Sequence, residues 1–179
     1  VVDPKAGRDG HFDIRIEDGR IAAIGTDLPT DGARVVMVPG DFVITPGLID
    51  MHVHLREPGQ EHKETIATGT WSAVVGGFTA VACMPNTDPV NDSPAVTEYI
   101  QRRARESGNV RVRVIAAATQ GLRGEIMSEM AGLAAAGAVA FSDDGAVIMD
   151  AAVMRRVLEY ARGIGRPVMR YSRVRSGGH

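Results

Sequence analysis

The apolar and polar positions of the chain change rhythm at Pro46. Before it, apolar residues come in short alternating runs. Phe12, Ile14 and Ile16 alternate with polar neighbours, the period of a strand with one covered face. Glu17-Asp18-Gly19-Arg20 reads as a hairpin turn, and Ile21 to Gly25 as the returning strand. Val35 to Val38 and Phe42 to Thr45 read as two more strands, split by Pro39-Gly40-Asp41. The pattern predicts a small antiparallel, β-sandwich-like layer over residues 1–45, with no chemistry visible in it. His11 reads as a turn residue. The chain opens in mid-pattern at Val1-Val2-Asp3-Pro4, so a preceding strand is expected to be missing.

From Pro46 onward strands and helices alternate. Apolar strands begin near Leu48, Ala80, Val112, Val139 and Val168, at intervals of 32, 32, 27 and 29 residues. That is the repeat of a βα unit, so a parallel sheet is predicted. Between the strands, Thr65 to Val75 reads as a helix stopped by Gly76-Gly77. Ser93-Pro94 opens a second helix, which ends at Gly108-Asn109. Ile126 to Ala135 reads as a third. Asp150 caps a fourth, with Val153, Met154, Val157, Leu158 and Ala161 predicted to face inward. Methionines on these stripes are core positions. Four βα units and the start of a fifth strand make an α/β fold, the first half of a (β/α)8 TIM-type barrel, over residues 46–169. An open doubly wound sheet is the alternative, but no Gly-x-Gly-x-x-Gly turn follows a strand, so nothing supports a dinucleotide.

Composition narrows the partners. The 179 residues are 44% hydrophobic, enough for a core, and the net charge of −2 makes no electrostatic case for nucleic acid or an anionic membrane. A single cysteine, Cys83, excludes an internal disulfide and lies in an apolar run, where a buried, inert thiol is expected. No apolar run is long enough to span a bilayer and no signal pattern opens the chain, so a soluble cytoplasmic protein is expected.

The chemistry gathers at predicted strand ends. In Pro46-Gly47-Leu48-Ile49-Asp50-Met51-His52-Val53-His54-Leu55-Arg56-Glu57-Pro58-Gly59, the two histidines are two apart, so on a strand both rings share one face and can hold a zinc-type ion. Arg56 is next in phase if the strand runs that far, and its planar fork suits a substrate carboxylate. The second strand ends in Pro85-Asn86-Thr87-Asp88-Pro89, the third in Thr119-Gln120-Gly121, and the fourth in Ser142-Asp143-Asp144-Gly145. In a parallel barrel all of these reach one rim. Taken singly, Asn86 and the Asp-Asp-Gly run also read as ordinary turn residues. Adjacent carboxylates near two histidines repel one another unless a cation is present. His62, Lys63 and Glu64 read as solvated residues before a helix.

"HVHLREPG", then "MPNTDP", then "FSDDG" resemble the bacterial dihydroorotases, zinc-dependent cyclic amidohydrolases, in order and spacing, from about Asp3 to Met169. The resemblance implies a binuclear Zn2+ site with His52, His54 and Asp144 as ligands, Asp144 bridging and catalytic. It implies substrate contacts from His54, Arg56 and Asn86, the last two holding a carboxylate. Asp143 stays open as the ligand in place of Asp144. The implied reaction is reversible ring opening of dihydroorotate to N-carbamoyl-aspartate, in pyrimidine biosynthesis, by a water activated on the metal. Allantoinase-like and hydantoinase-like relatives usually place a carbamylated lysine near strand four, where this chain has none. A non-catalytic subunit scaffolding aspartate carbamoyltransferase, and a homo-oligomer, are the implied partner readings. The family also carries a third metal histidine at the end of strand five, where this chain has Tyr171. Residues 170–179 no longer resemble the family. The chain alone is therefore expected to be inactive, and poorly folded or self-associated.

Overall fold

The computed structural model describes residues 1–170, which cluster into two units, Val1–Gly47 and a second beginning at Leu48. In the first unit, β1 (Val2–Asp3) pairs antiparallel with β2 (Arg8–Asp9), and β3 (Asp13–Glu17) with β4 (Arg20–Gly25). The β3–β4 hairpin turns where the sequence predicts, with Asp18 and Gly19 both at positive φ, as a tight two-residue turn requires. A bulge between Arg15 and Ile16 shifts its register.

Val35 to Val38 and Phe42 to Thr45 are not strands, which corrects the expected four-strand layer. This stretch is held by Val2 N–H donating to Ile44 O at 2.9 Å and by local turns at Ala33 and Phe42. Met37 is 85% exposed, and Val36, Phe42 and Val43 are exposed too. An apolar run does not make a strand where no continuous ladder forms along it and its side chains stay exposed.

The second unit is a curled parallel sheet in the order β5-β6-β7-β8, formed by Leu48–Val53, Phe78–Cys83, Arg111–Ala116 and Ala140–Phe141. Val168 adds a parallel bridge to Phe141, where the fifth strand is predicted to begin. The period-2 alternation sorts the side chains to two faces. Val81, Cys83 and Val114 pack with Ile66 of α1 (Ile66–Val75) and Ile100 of α2 (Pro94–Ser107). Ala82, Met84, Ile115 and Ala140 form a separate cluster. A third cluster sets Phe141 against α3 (Met130–Ala135) and α4 (Ala151–Gly163) through Leu133, Val153 and Val157. Burial pushes the Cys83 thiol up to about 12, so it is an inert core group.

Local chemistry explains the helix ends. Thr65 and Thr68 exchange a capping box at the start of α1. Asp150 Oδ1 accepts from Ala152 N–H at 2.7 Å and caps α4. Ser93 stands at the N-cap of α2, but its side chain makes no cap bond, and Pro94 at the first turn starts that helix. The third helix is shorter than its pattern. Residues 126–128 are not helical: Met127 bridges Thr119, Gln120 N–H donates to Ile126 O and Ser128 N–H to Ala118 O. Leu158 is 49% exposed and lies off the buried stripe of Val153, Val157 and Ala161. Leu48, Ile49 and Met51 are also exposed, because β5 is an edge of the described sheet. Among the described residues no helix is long and apolar enough to cross a membrane.

Candidate metal centre

β5 ends at Val53, so His52 is on the strand and His54 is the first residue past it, and the two rings nonetheless come together. Their ring centroids lie 5.1 Å apart at 75°. The third group comes from beyond β8, where the chain must choose between two adjacent carboxylates. Asp143 turns into the protein. It is 5% exposed and accepts from Thr119 N–H at 2.9 Å and from the Thr119 hydroxyl. Burial raises the Asp143 carboxyl above the usual carboxylate range, and the two Thr119 bonds partly oppose it. With Asp143 anchored inward, Asp144 takes a left-handed conformation (φ 52°) that aspartate tolerates better than most residues. Its N–H donates to Ser142 Oγ at 3.0 Å. Its Oδ1 then lies 3.0 Å from His52 Nε2.

One ligand atom each from His52, His54 and Asp144 falls within 4.8 Å of the others. Two imidazoles and a carboxylate are a donor set that suits zinc or a similar divalent ion. All three side chains are half-buried, so the centre stays open to a small molecule.

Asn86, beyond β6, belongs to the same cluster. Its Oδ1 is 2.9 Å from His54 Nδ1, and its Nδ2 donates to Asp144 Oδ2 at 2.8 Å. Arg56 is not in phase on a strand, because β5 has already ended. It sits in the following turn at φ 59°, and among the described residues its guanidinium has no hydrogen-bond or ion-pair partner. Tyr171 and His179 lie outside the described residues.

Two residues that sequence reasoning passed over hold this rim together. Thr119 was visible only as the end of a strand, yet it anchors Asp143 and so aims Asp144. Glu57, next to Arg56, is 4% exposed and accepts from Ile66 N–H of α1 at 2.9 Å and from Arg103 Nε of α2 at 2.7 Å. The Glu57 hydrogen bond raises the Arg103 guanidinium above its ordinary range. Glu57 and Arg103 are 46 residues apart, and no local pattern signals such a pair. The turn also grips the Asn86 loop. Gln60 Nε2 donates to Asn86 O, and Asp88 N–H donates to Pro58 O, both at 3.0 Å. Gly59, at φ 89°, passes so close to Asp88 that a Cβ there would strike the Asp88 carbonyl.

Residues 41–172 match the family described as dihydro-orotase-like. The dihydroorotase of Syntrophotalea carbinolica is 50% identical over 172 residues, and that of Syntrophobacter fumaroxidans 51% identical over 176. Each alignment takes in 96% of this chain but 40% of the relative, so the chain spans about two fifths of the proteins it matches. Among solved structures, L-hydantoinase (dihydropyrimidinase) from Arthrobacter aurescens aligns with a TM-score of 0.75 at 22% identity, covering 90% of this chain and 37% of that one. At that identity the likeness is one of fold, and that fold is the TIM barrel of which this sheet is a half.

Proposed function

The chain belongs to the dihydro-orotase-like family, and on that premise we propose that it supplies the first half of a zinc-dependent dihydroorotase site, opening dihydroorotate reversibly to N-carbamoyl-aspartate. The observation that carries this reading is the approach of His52, His54 and Asp144 from two strand ends. These three would hold the ion. An ion held by them would supply Lewis acidity toward water and toward the ring amide. The chain's own part is to place the substrate. Arg56, without a partner among the described residues, is free to fork onto the substrate carboxylate. Asn86 has two amide N–H groups and gives one to Asp144, which leaves the second for the same carboxylate. Held by that end, the ring presents its amide to the metal side of the rim.

The retained metal cluster weighs against a non-catalytic scaffold for aspartate carbamoyltransferase, and the absence of a lysine beside Asp143 and Asp144 weighs against the hydantoinase-type and allantoinase-type site.

Elemental analysis and calorimetric titration of the purified chain test the proposal. One or two zinc per chain is expected, lost in His52→Ala. Arg56→Ala should keep the metal and bind dihydroorotate about 10–100-fold more weakly, the worth of hydrogen bonds to a charged group. A chain that takes up no zinc, or an Arg56→Ala variant with unchanged substrate affinity, contradicts the corresponding assignment.

A further inference from the structure

Asn86 joins three strand ends. Its partners are 32 residues away in His54 and 58 away in Asp144. We propose that Asn86 is a positioning residue of the metal centre: its amide decides which nitrogen of His54 faces the ion and which oxygen of Asp144 turns toward His52. This rests on the metal reading above and adds to it a division of labour that the donor set alone does not contain.

A carboxylate only accepts hydrogen bonds. The atom of Asn86 that lies 2.8 Å from Asp144 Oδ2 must therefore be the amide nitrogen. The carbonyl oxygen is then the atom 2.9 Å from His54 Nδ1. An amide oxygen only accepts, so Nδ1 carries the imidazole hydrogen. A neutral imidazole has one N–H and one lone pair, so the lone pair is on Nε2. A metal takes a lone pair, which leaves Nε2 as the ligating atom of His54. At the other end, binding Oδ2 holds the Asp144 carboxylate so that Oδ1 is the oxygen beside His52 Nε2, at 3.0 Å.

Asn86 is able to do this because its own backbone is fixed. Met84 N–H donates to Val53 O at 2.9 Å, which continues the β5–β6 ladder up to the loop. Asn91 N–H closes the loop onto Pro85 O at 2.9 Å. Gln60 Nε2 holds the Asn86 carbonyl, and Gln60 N–H holds Arg56 O at 2.9 Å. The loop bearing the amide and the turn bearing Arg56 are thus one clasped piece. A plain turn residue in this loop has no need of both ends of an amide. Asn86 uses both, on two members of the metal cluster.

The test uses the chain as it stands, labelled with 15N at its histidine rings. His54 is assigned by comparison with His54→Gln. In metal-free protein the spectrum should show His54 as the Nδ1–H tautomer with a bare Nε2. Asn86→Ala removes the acceptor, so His54 should sample both tautomers, and zinc affinity in a chelator competition should fall about 10–100-fold, as is typical when a residue behind a ligand is changed. Asn86→Asp keeps an acceptor opposite His54 and should restore the Nδ1–H signature. The restoration separates hydrogen-bond control from general damage to the loop. The wild-type tautomer decides the point even where the alanine variant does not fold. His54 found as the Nε2–H form, or an alanine variant with the same tautomer and the same zinc affinity, overturns the inference. Failure to take up zinc counts against the metal reading, while the tautomer still decides for or against Asn86.

Discussion

The hairpin Asp13–Gly25 and the start of β7 both alternate apolar and polar residues, yet the hairpin and the β6–β7 pair end in different surroundings. No residue of 1–47 is buried, and Ile16 and Ile21, opposite each other in the hairpin, are 66% and 62% exposed. In β6 and β7 the last three residues of each strand are buried, and Val114, Ile115 and Ala116 are at most 1% exposed. The difference is one of layers. A two-stranded ribbon with nothing on its face is held by its ladder and its turn. A parallel sheet flanked by helices gains from every apolar side chain on both faces. The candidate site lies in the second unit: His52 is on β5, whose side chains are largely exposed but whose backbone is paired to β6, and Asn86 and Asp144 follow the buried ends of β6 and β8.

That contrast can be broken most severely at Phe141, fully buried between the sheet and α3 and α4. Phe141→Ala should cost about 3–5 kcal/mol in chemical denaturation, the range for emptying an aromatic site in a core. Labelling of the Cys83 thiol gives a second reading, slow in the native chain and fast once this unit opens. A loss below about 1 kcal/mol would mean that the cluster is not the close-packed core described. Glu57→Ala comes next. It leaves the buried Ile66 N–H without its acceptor, which by itself costs about 1–3 kcal/mol, and it frees Arg103 from the turn. Glu57→Gln keeps an acceptor for Ile66 and should recover part of the loss. Equal losses in the two variants would show that the helix-start bond is not what matters. The smallest effect belongs to the exposed stretch. Met37→Ser should change stability by no more than about 0.5 kcal/mol. A loss above about 1 kcal/mol would show that residues 35–43 are covered in solution, and the contrast between the two regions would narrow.

Much of the second unit was legible because its signals are local. The 27- to 32-residue spacing, the stop at Gly76-Gly77 and the caps at Thr65 and Asp150 each act within a few residues. Where the reading failed, a non-local partner had intervened. The third helix lost its first turn to the Thr119–Met127 bridge, and Val35 to Val38 found no strand to pair with. Arg56 left the phase of the histidines because β5 stops at Val53 and Glu57 pulls the turn toward α2.

The letters alone predicted that two imidazoles two residues apart would share one face, and the rings do lie 5.1 Å apart although β5 stops at Val53, before His54. They also determined that a helix-backed parallel sheet would bring the strand ends to one rim. They left Asp143 and Asp144 equal, since adjacent carboxylates are indistinguishable in a one-dimensional string. Only the folded chain broke that tie. Thr119, 24 residues from Asp143, offers an amide and a hydroxyl to one carboxylate, and the backbone then turns the other outward to His52. Which side chain faces a site depends on which partner its neighbour finds, and that partner arrives through tertiary structure.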